Sequence, residues 1–282
     1  MTLVLNCLTR DYLFQVSDRR LMRGTEVVED NANKNVLQGG GIAFSYTGLA
    51  EIEGKKTDEW LLSVLPDSFQ DTAKVIVEKA TEAFKRMNPP SAVKRHAFAG
   101  VGWLQRERWS PPRPTFILIS NFHQLDGEEL RSASDRFSAL AWQLPENVIV
   151  QVFPVGQRVP KRQLEDLHET LKRCVKKKKG STTVMRLLVM AMREIAENNP
   201  AVGKNLLALG LPRKAAGVPG ATSPLVEKKM IEDENTFLYI PADSLDGIAY
   251  GPAFKGKGFL AWDFKAYPPG VLPPGIHLPP IP

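Results

Sequence analysis

Apolar and polar residues alternate from the start of the chain. Leu3 to Thr9 and Tyr12 to Ser17 read as short strands joined through Arg10-Asp11, a hairpin-like spacing, and Gly39-Gly40-Gly41 marks a turn ahead of a strand from Ile42 to Tyr46. The period then lengthens. Between Asp67 and Met87 the apolar residues Ala73, Ile76, Val77, Ala80, Ala83, Phe84 and Met87 recur every three or four positions. That spacing predicts an amphipathic helix lying on a sheet and ended by Pro89-Pro90.

Strand-like runs return at His96 to Leu104, Thr115 to Phe122, Phe137 to Leu144 and Val148 to Val155, with a loop from Trp109 to Pro114. Helical spacing follows at Lys161 to Val175 and Thr182 to Glu197, and a further strand at Leu206 to Leu211. The run Lys176 to Lys179, then Gly180 and Ser181, reads as a basic helix C-terminus, a glycine stop and the N-cap of the next helix. Two groups of helices, each set against strands, predict two sheets packed face to face with helices outside. Beyond Arg213 the composition shifts to Gly, Pro and Lys, with strands expected at Thr236 to Ile240 and Gly258 to Asp263 and an extended proline-rich tail from Pro268 to Pro282. The expected division is a core over 2–212 and an extension over 213–282.

Composition narrows the class. Of the 282 residues 43% are hydrophobic and 24% charged, as in a folded globular chain. A net charge of +6 admits a nucleic-acid partner, but no aromatic residues interleave with the basic run, so none is expected. No basic-then-apolar leader and no window of about 18 apolar residues is present, so neither secretion nor membrane spanning is expected. Cys7 and Cys174 fit neither a disulfide framework nor a zinc site. A cytoplasmic protein without metal or cofactor is the expectation.

Most familiar catalytic arrangements are missing. There is no GxSxG elbow, and His96, His123, His168 and His277 show no triad or metal spacing. A near-match to a phosphate loop from Gly251 to Lys257 has Gly258 where Ser or Thr is required. Thr2 is different. It is small enough for a preceding methionine to be removed, which leaves an α-amine beside a hydroxyl, base and nucleophile in one residue. An α-amine titrates near about 7.7–8.0, so a neutral fraction is available at physiological pH.

Asp18 follows a strand in Ser17-Asp18-Arg19-Arg20, Lys34 precedes one in Asn33-Lys34-Asn35-Val36, and Gly48 lies in Tyr46-Thr47-Gly48-Leu49-Ala50, at offsets of 16, 32 and 46 from Thr2. This ungapped pattern resembles the proteasome β-subunits and the bacterial ATP-dependent ring proteases, most closely the divergent bacterial proteasome homologues with a C-terminal extension. The resemblance implies an α+β, four-layer αββα sandwich of two antiparallel sheets, the N-terminal nucleophile (Ntn) hydrolase fold. It implies acyl transfer by Thr2, with Lys34 held by Asp18 beside the hydroxyl and the Gly48 N–H at the oxyanion. By the same register Leu21, Ala32, Tyr46 and Ala50 are expected to line the first specificity pocket, which Tyr46 would make shallow.

The same likeness implies stacked rings of about twelve or fourteen copies of this chain, a polypeptide substrate and an ATP-dependent unfoldase as candidate partner. The chain departs from the pattern farther on, where Gln157, Asn199 and Val202 stand in place of the family's supporting Ser, Asp and Ser. A non-catalytic ring or scaffold subunit, or an Ntn amidohydrolase acting on a small amide, are the alternatives.

Overall fold

The computed structural model describes residues 2–38, 41–66, 69–105, 111–123, 132–213, 236–243, 248–249, 253–255 and 258–260. Met1, Gly39-Gly40, the start of the expected helix at Asp67, much of the loop before Pro114, the phosphate-loop-like glycines, the end of the last expected strand and the proline-rich tail lie outside them.

Strands β1 (Leu3–Thr9) and β2 (Tyr12–Asp18) form the opening hairpin, with Val4 opposite Ser17 and Leu8 opposite Leu13. Its turn is set by Thr9, whose hydroxyl accepts the Tyr12 N–H at 2.9 Å and donates to the Tyr12 carbonyl at 2.7 Å. Two small hairpins were not expected from the sequence: β3 (Leu21–Arg23) with β4 (Glu26–Glu29), and, after β5 (Asn35–Gln38) and β6 (Ile42–Thr47), β7 (Glu51–Ile52) with β8 (Lys55–Lys56).

Next come α1 (Thr57–Val64), likewise unanticipated, and α2 (Thr72–Met87). The middle of the chain supplies β9 (Ala97–Leu104), β10 (Arg113–Ser120), β11 (Ser138–Gln143), β12 (Val150–Gly156), α3 (Lys161–Lys176), α4 (Ser181–Asn198) and β13 (Leu206–Pro212). Short strands β14 (Thr236–Ile240), β15 (Ile248–Ala249), β16 (Ala253–Lys255) and β17 (Gly258–Leu260) follow.

One sheet runs β12-β1-β2-β13-β14-β15 and the other β11-β10-β9-β6-β5-β17-β16, with neighbouring strands antiparallel. Strand alternation sorts the core. Val4 and Leu8 of β1 join Ala43, Val101 and Phe116 in one buried cluster, which therefore links the two sheets. Leu3, Leu5 and Cys7 point the other way, onto Leu188 and Met192 of α4 and Leu171 of α3. On the second sheet Ile42, Phe44 and Tyr46 pack on Trp60 and Leu61 of α1 and on Ile76, Ala80 and Phe84 of α2. Each fully buried side chain of this kind contributes about 1.5–3 kcal/mol. The result is a mixed α/β architecture of antiparallel sheets with four helices among the described residues.

The α3–α4 junction differs from expectation. Lys178, at φ 51°, takes the left-handed position, and Gly180 is the N-cap of α4 with no side-chain cap, so Ser181 is the first helical residue. The N–H groups of Lys178 and Lys179 return to the carbonyls of Val175 and Cys174 and close α3 before the glycine is reached. Among the described residues no helix is long and apolar enough to cross a membrane, and no group of three or more His, Cys, Asp or Glu could hold a metal.

Candidate active site

The hairpin register carries Asp18 to the first residue of β1. Its Oδ2 accepts the Leu3 N–H at 2.7 Å, and its Oδ1 accepts the Arg20 N–H at 2.8 Å. Lys34, just before β5 of the other sheet, reaches across to the same carboxylate. Its ammonium donates to Asp18 Oδ1 at 3.0 Å, to Thr2 Oγ1 at 2.6 Å and to the Arg20 carbonyl at 2.5 Å, so its three protons have three acceptors. Lys34 and Asp18 are fully buried and Thr2 nearly so. Burial lowers the Lys34 pKa, and the Asp18 carboxylate opposes that shift.

The segment that delivers Lys34 is tied down by the two arginines after Asp18. The Arg19 guanidinium donates to the carbonyls of Ala32 and Asn31, and Arg20 makes a two-pronged pair with Asp30 at 2.6 and 3.0 Å. Arg20 also donates to the Pro200 carbonyl at 2.7 Å.

The Thr2 carbonyl is fixed as well. It accepts the Gln157 N–H at 3.1 Å and the Thr47 hydroxyl at 3.3 Å. Gly156 at φ +101° lies so close that a Cβ there would sit 2.0 Å from the Thr2 oxygen. Gly48, at φ +117°, follows Thr47, and a Cβ on it would fall 2.5 Å from the Arg95 carbonyl. Lys34 is thus in direct contact with both Thr2 and Asp18, and Gly48 is joined to them through Thr47. Of the departing residues, Gln157 touches Thr2 through its backbone, Asn199 donates to the Gln157 side chain at 3.3 Å, and Val202 is fully buried in the apolar cluster under α4.

Beside this cluster opens a pocket of about 540 Å³, and Leu21, Ala32, Tyr46 and Ala50 all line it. Tyr46 is buried in the wall, its hydroxyl 3.4 Å from the Asn33 carbonyl. Asp58 also lines the pocket and accepts from the Asn33 amide at 2.8 Å; burial raises its pKa. Sequence reasoning missed Asp58 because it lies on α1, too short to show a period.

It also missed a buried polar layer under Thr2, where the Ser17 and Ser45 hydroxyls both bond Asn35 Oδ1 and the Gln15 amide donates to Asn6 Oδ1 at 2.8 Å. The available signal was polar residues at alternate positions of strands that are otherwise apolar: Gln15 and Ser17 on β2, Ser45 on β6.

No protein-family model matches the chain, and no curated protein matches it. Among solved structures it is similar to Anbu (ancestral beta-subunit) from Yersinia bercovieri, with 15% identity over 74% of this chain and 81% of that one and a TM-score of 0.49. It is also similar to an Anbu (Gly-1) mutant from Hyphomicrobium sp. strain MC1, at 12% identity over 74% and 80% with a TM-score of 0.46. These findings correct the expected family. Both of these structures are Anbu proteins, which are proteasome-like but distinct. The ungapped motif behind the expectation lies in the first fifty residues, the likeness from 57 to 211 is one of element order alone, and there Gln157, Asn199 and Val202 depart from the family's supporting residues. Likeness at these scores carries no argument about activity or assembly.

Proposed function

We propose that the chain is a hydrolase that cleaves peptide bonds by acyl transfer, with Thr2 Oγ as nucleophile once the bond before Thr2 has been cut. The observation that supports this reading is the fully buried Lys34 ammonium, 2.6 Å from Thr2 Oγ1 and 3.0 Å from Asp18 Oδ1. Asp18 holds the positive charge on Lys34 against the burial that lowers its pKa, and that charge favours the alkoxide developing on Thr2. The freed α-amine takes the hydroxyl proton and returns it to the leaving amine. The Gly48 N–H stabilises the tetrahedral oxyanion, and the adjoining pocket takes the substrate side chain on the acyl side of the bond.

In this reading the two sheets and their outer helices form the αββα sandwich of Ntn hydrolases, with 2–212 as core and 213–282 as an extension. Copies of the chain close into stacked rings of about twelve or fourteen that admit polypeptide delivered by an unfoldase.

A peptide epoxyketone tests the site, because it closes a ring with both the threonine hydroxyl and a free α-amine. Mass spectrometry is expected to show one adduct, on Thr2, with loss of cleavage of fluorogenic peptides. Protein that has a free Thr2 amine yet forms no adduct and cleaves nothing overturns the proposal. The hydrogen bond between Asn199 and Gln157, where the sequence pattern has acidic and hydroxyl residues, favours the second reading, a non-catalytic scaffold subunit. That reading takes over on such a result.

A further inference from the structure

We infer that His96 is a positioning residue of the same site, one that sets the peptide plane after Gly48 and so aims the oxyanion donor; the inference rests on the proposed threonine chemistry. His96 is fully buried immediately before β9, with no carboxylate among its bonded partners in the described residues. Its Nδ1 accepts the Leu49 N–H at 3.1 Å. The neighbouring Gly48 backbone is pressed against the same residue: a Cβ on Gly48 would stand 2.7 Å from His96 Nδ1 and 2.9 Å from His96 Cα.

The short loop that holds Gly48 is therefore pinned on both sides, by Thr47 to the Thr2 carbonyl and by Leu49 to the imidazole. Fixing the Leu49 N–H fixes the plane of the Gly48–Leu49 peptide, and with Thr47 held on the other side φ and ψ of Gly48 have little room to turn the N–H between them. A donor that must meet a developing charge tolerates little misplacement.

The imidazole is itself held in place. Asn121 accepts the His96 N–H at 2.9 Å and donates through its amide to the carbonyls of Lys94 and Ser134 at 2.8 and 2.9 Å, so the backbone at His96 cannot drift. The ring lies among Phe98, Phe84, Tyr46 and Phe137, with centroids 4.6, 5.5, 6.1 and 6.2 Å away. Nε2 is buried without a hydrogen-bond partner among the described residues. Because Nδ1 must accept, the neutral ring carries its proton on Nε2. Tyr46 and Leu49 also line the pocket, so one imidazole supports both the oxyanion loop and the pocket wall.

Two substitutions separate the acceptor from the bulk. His96→Phe fills the aromatic box but leaves the Leu49 N–H without its acceptor, whereas His96→Asn presents an oxygen close to the place of Nδ1. For folded His96→Phe, kcat on a fluorogenic peptide is expected to fall about ten- to a hundredfold while KM stays within about threefold. His96→Asn is expected to recover most of kcat, and the epoxyketone adduct should still form on Thr2 in both. The 15N shifts of the His96 imidazole in the unsubstituted protein are expected to show the Nε2–H tautomer with Nδ1 accepting.

Equal kcat in His96→Phe and parent, or equal losses in the two variants, overturns the role of the acceptor while the adduct on Thr2 keeps the threonine chemistry standing. An Nδ1–H tautomer overturns it even if neither variant folds. A parent that forms no adduct and cleaves nothing removes the proposed function and this inference together.

Discussion

Lys34 places one charge where three acceptors converge, and nothing else in the cluster can supply it. Lys34→Ala is expected to abolish peptide cleavage. It also leaves the Asp18 carboxylate buried without its cation, at a cost of about 3–5 kcal/mol, so urea unfolding has to be followed beside activity. A folded Lys34→Ala protein that cleaves at the parental rate removes the mechanism. Gly156 constrains the same residue from behind. In Gly156→Ala the methyl meets the Thr2 carbonyl and the backbone must keep φ +101°, so a loss of more than about 2 kcal/mol is expected, with slower adduct formation at Thr2. Thermal unfolding and the labelling rate check it. The approach of Asp18 to the start of β1 was legible in the sequence because a hairpin turns spacing into contact, whereas Lys34 comes from the other sheet and was placed by the resemblance alone. The parts played by Gly156, Asp58 and His96 were not, because each depends on an element far away in the chain.

At the scale of elements, long amphipathic segments announced themselves and short ones did not. The periods of α2, α3 and α4 span four turns or more, but α1 has only eight residues, and the exposed Val27 and Val28 on β4 gave that hairpin no buried face to read. The packing of His96, just before β9, against Phe84 of α2 has a measurable signature. Burial beneath Phe84 and Phe137 lowers the His96 pKa from 6.5 to about 3. As pH falls below about 6.5 the unfolded chain takes up this proton and the folded one does not. The contribution is therefore complete above that pH and is lost progressively toward pH 3, at roughly 1 kcal/mol per pH unit. Urea unfolding between pH 7 and pH 4 is expected to show this slope, and His96→Asn to flatten it. Identical pH dependence in the two proteins counts against a neutral buried imidazole.

For the whole molecule, a mixed α/β plan of strands with helices set against them was visible in the sequence, but the strand order was not. Nothing local says that β17 pairs with β5 or that β13 pairs with β2, since those pairings join residues from opposite ends of the chain. The proposed closed rings predict a light-scattering mass of about twelve or fourteen chains at micromolar concentration. A monomer would refute them. The position of β1 between β2 and β12 carries a further consequence. Strand β1 waits for a partner made much later, and the Thr2 carbonyl has no Gln157 N–H to meet until translation has passed β12. On the ribosome the proposed nucleophile is therefore made well before the strand that completes its setting, so a chain stopped ahead of β12 cannot yet cut.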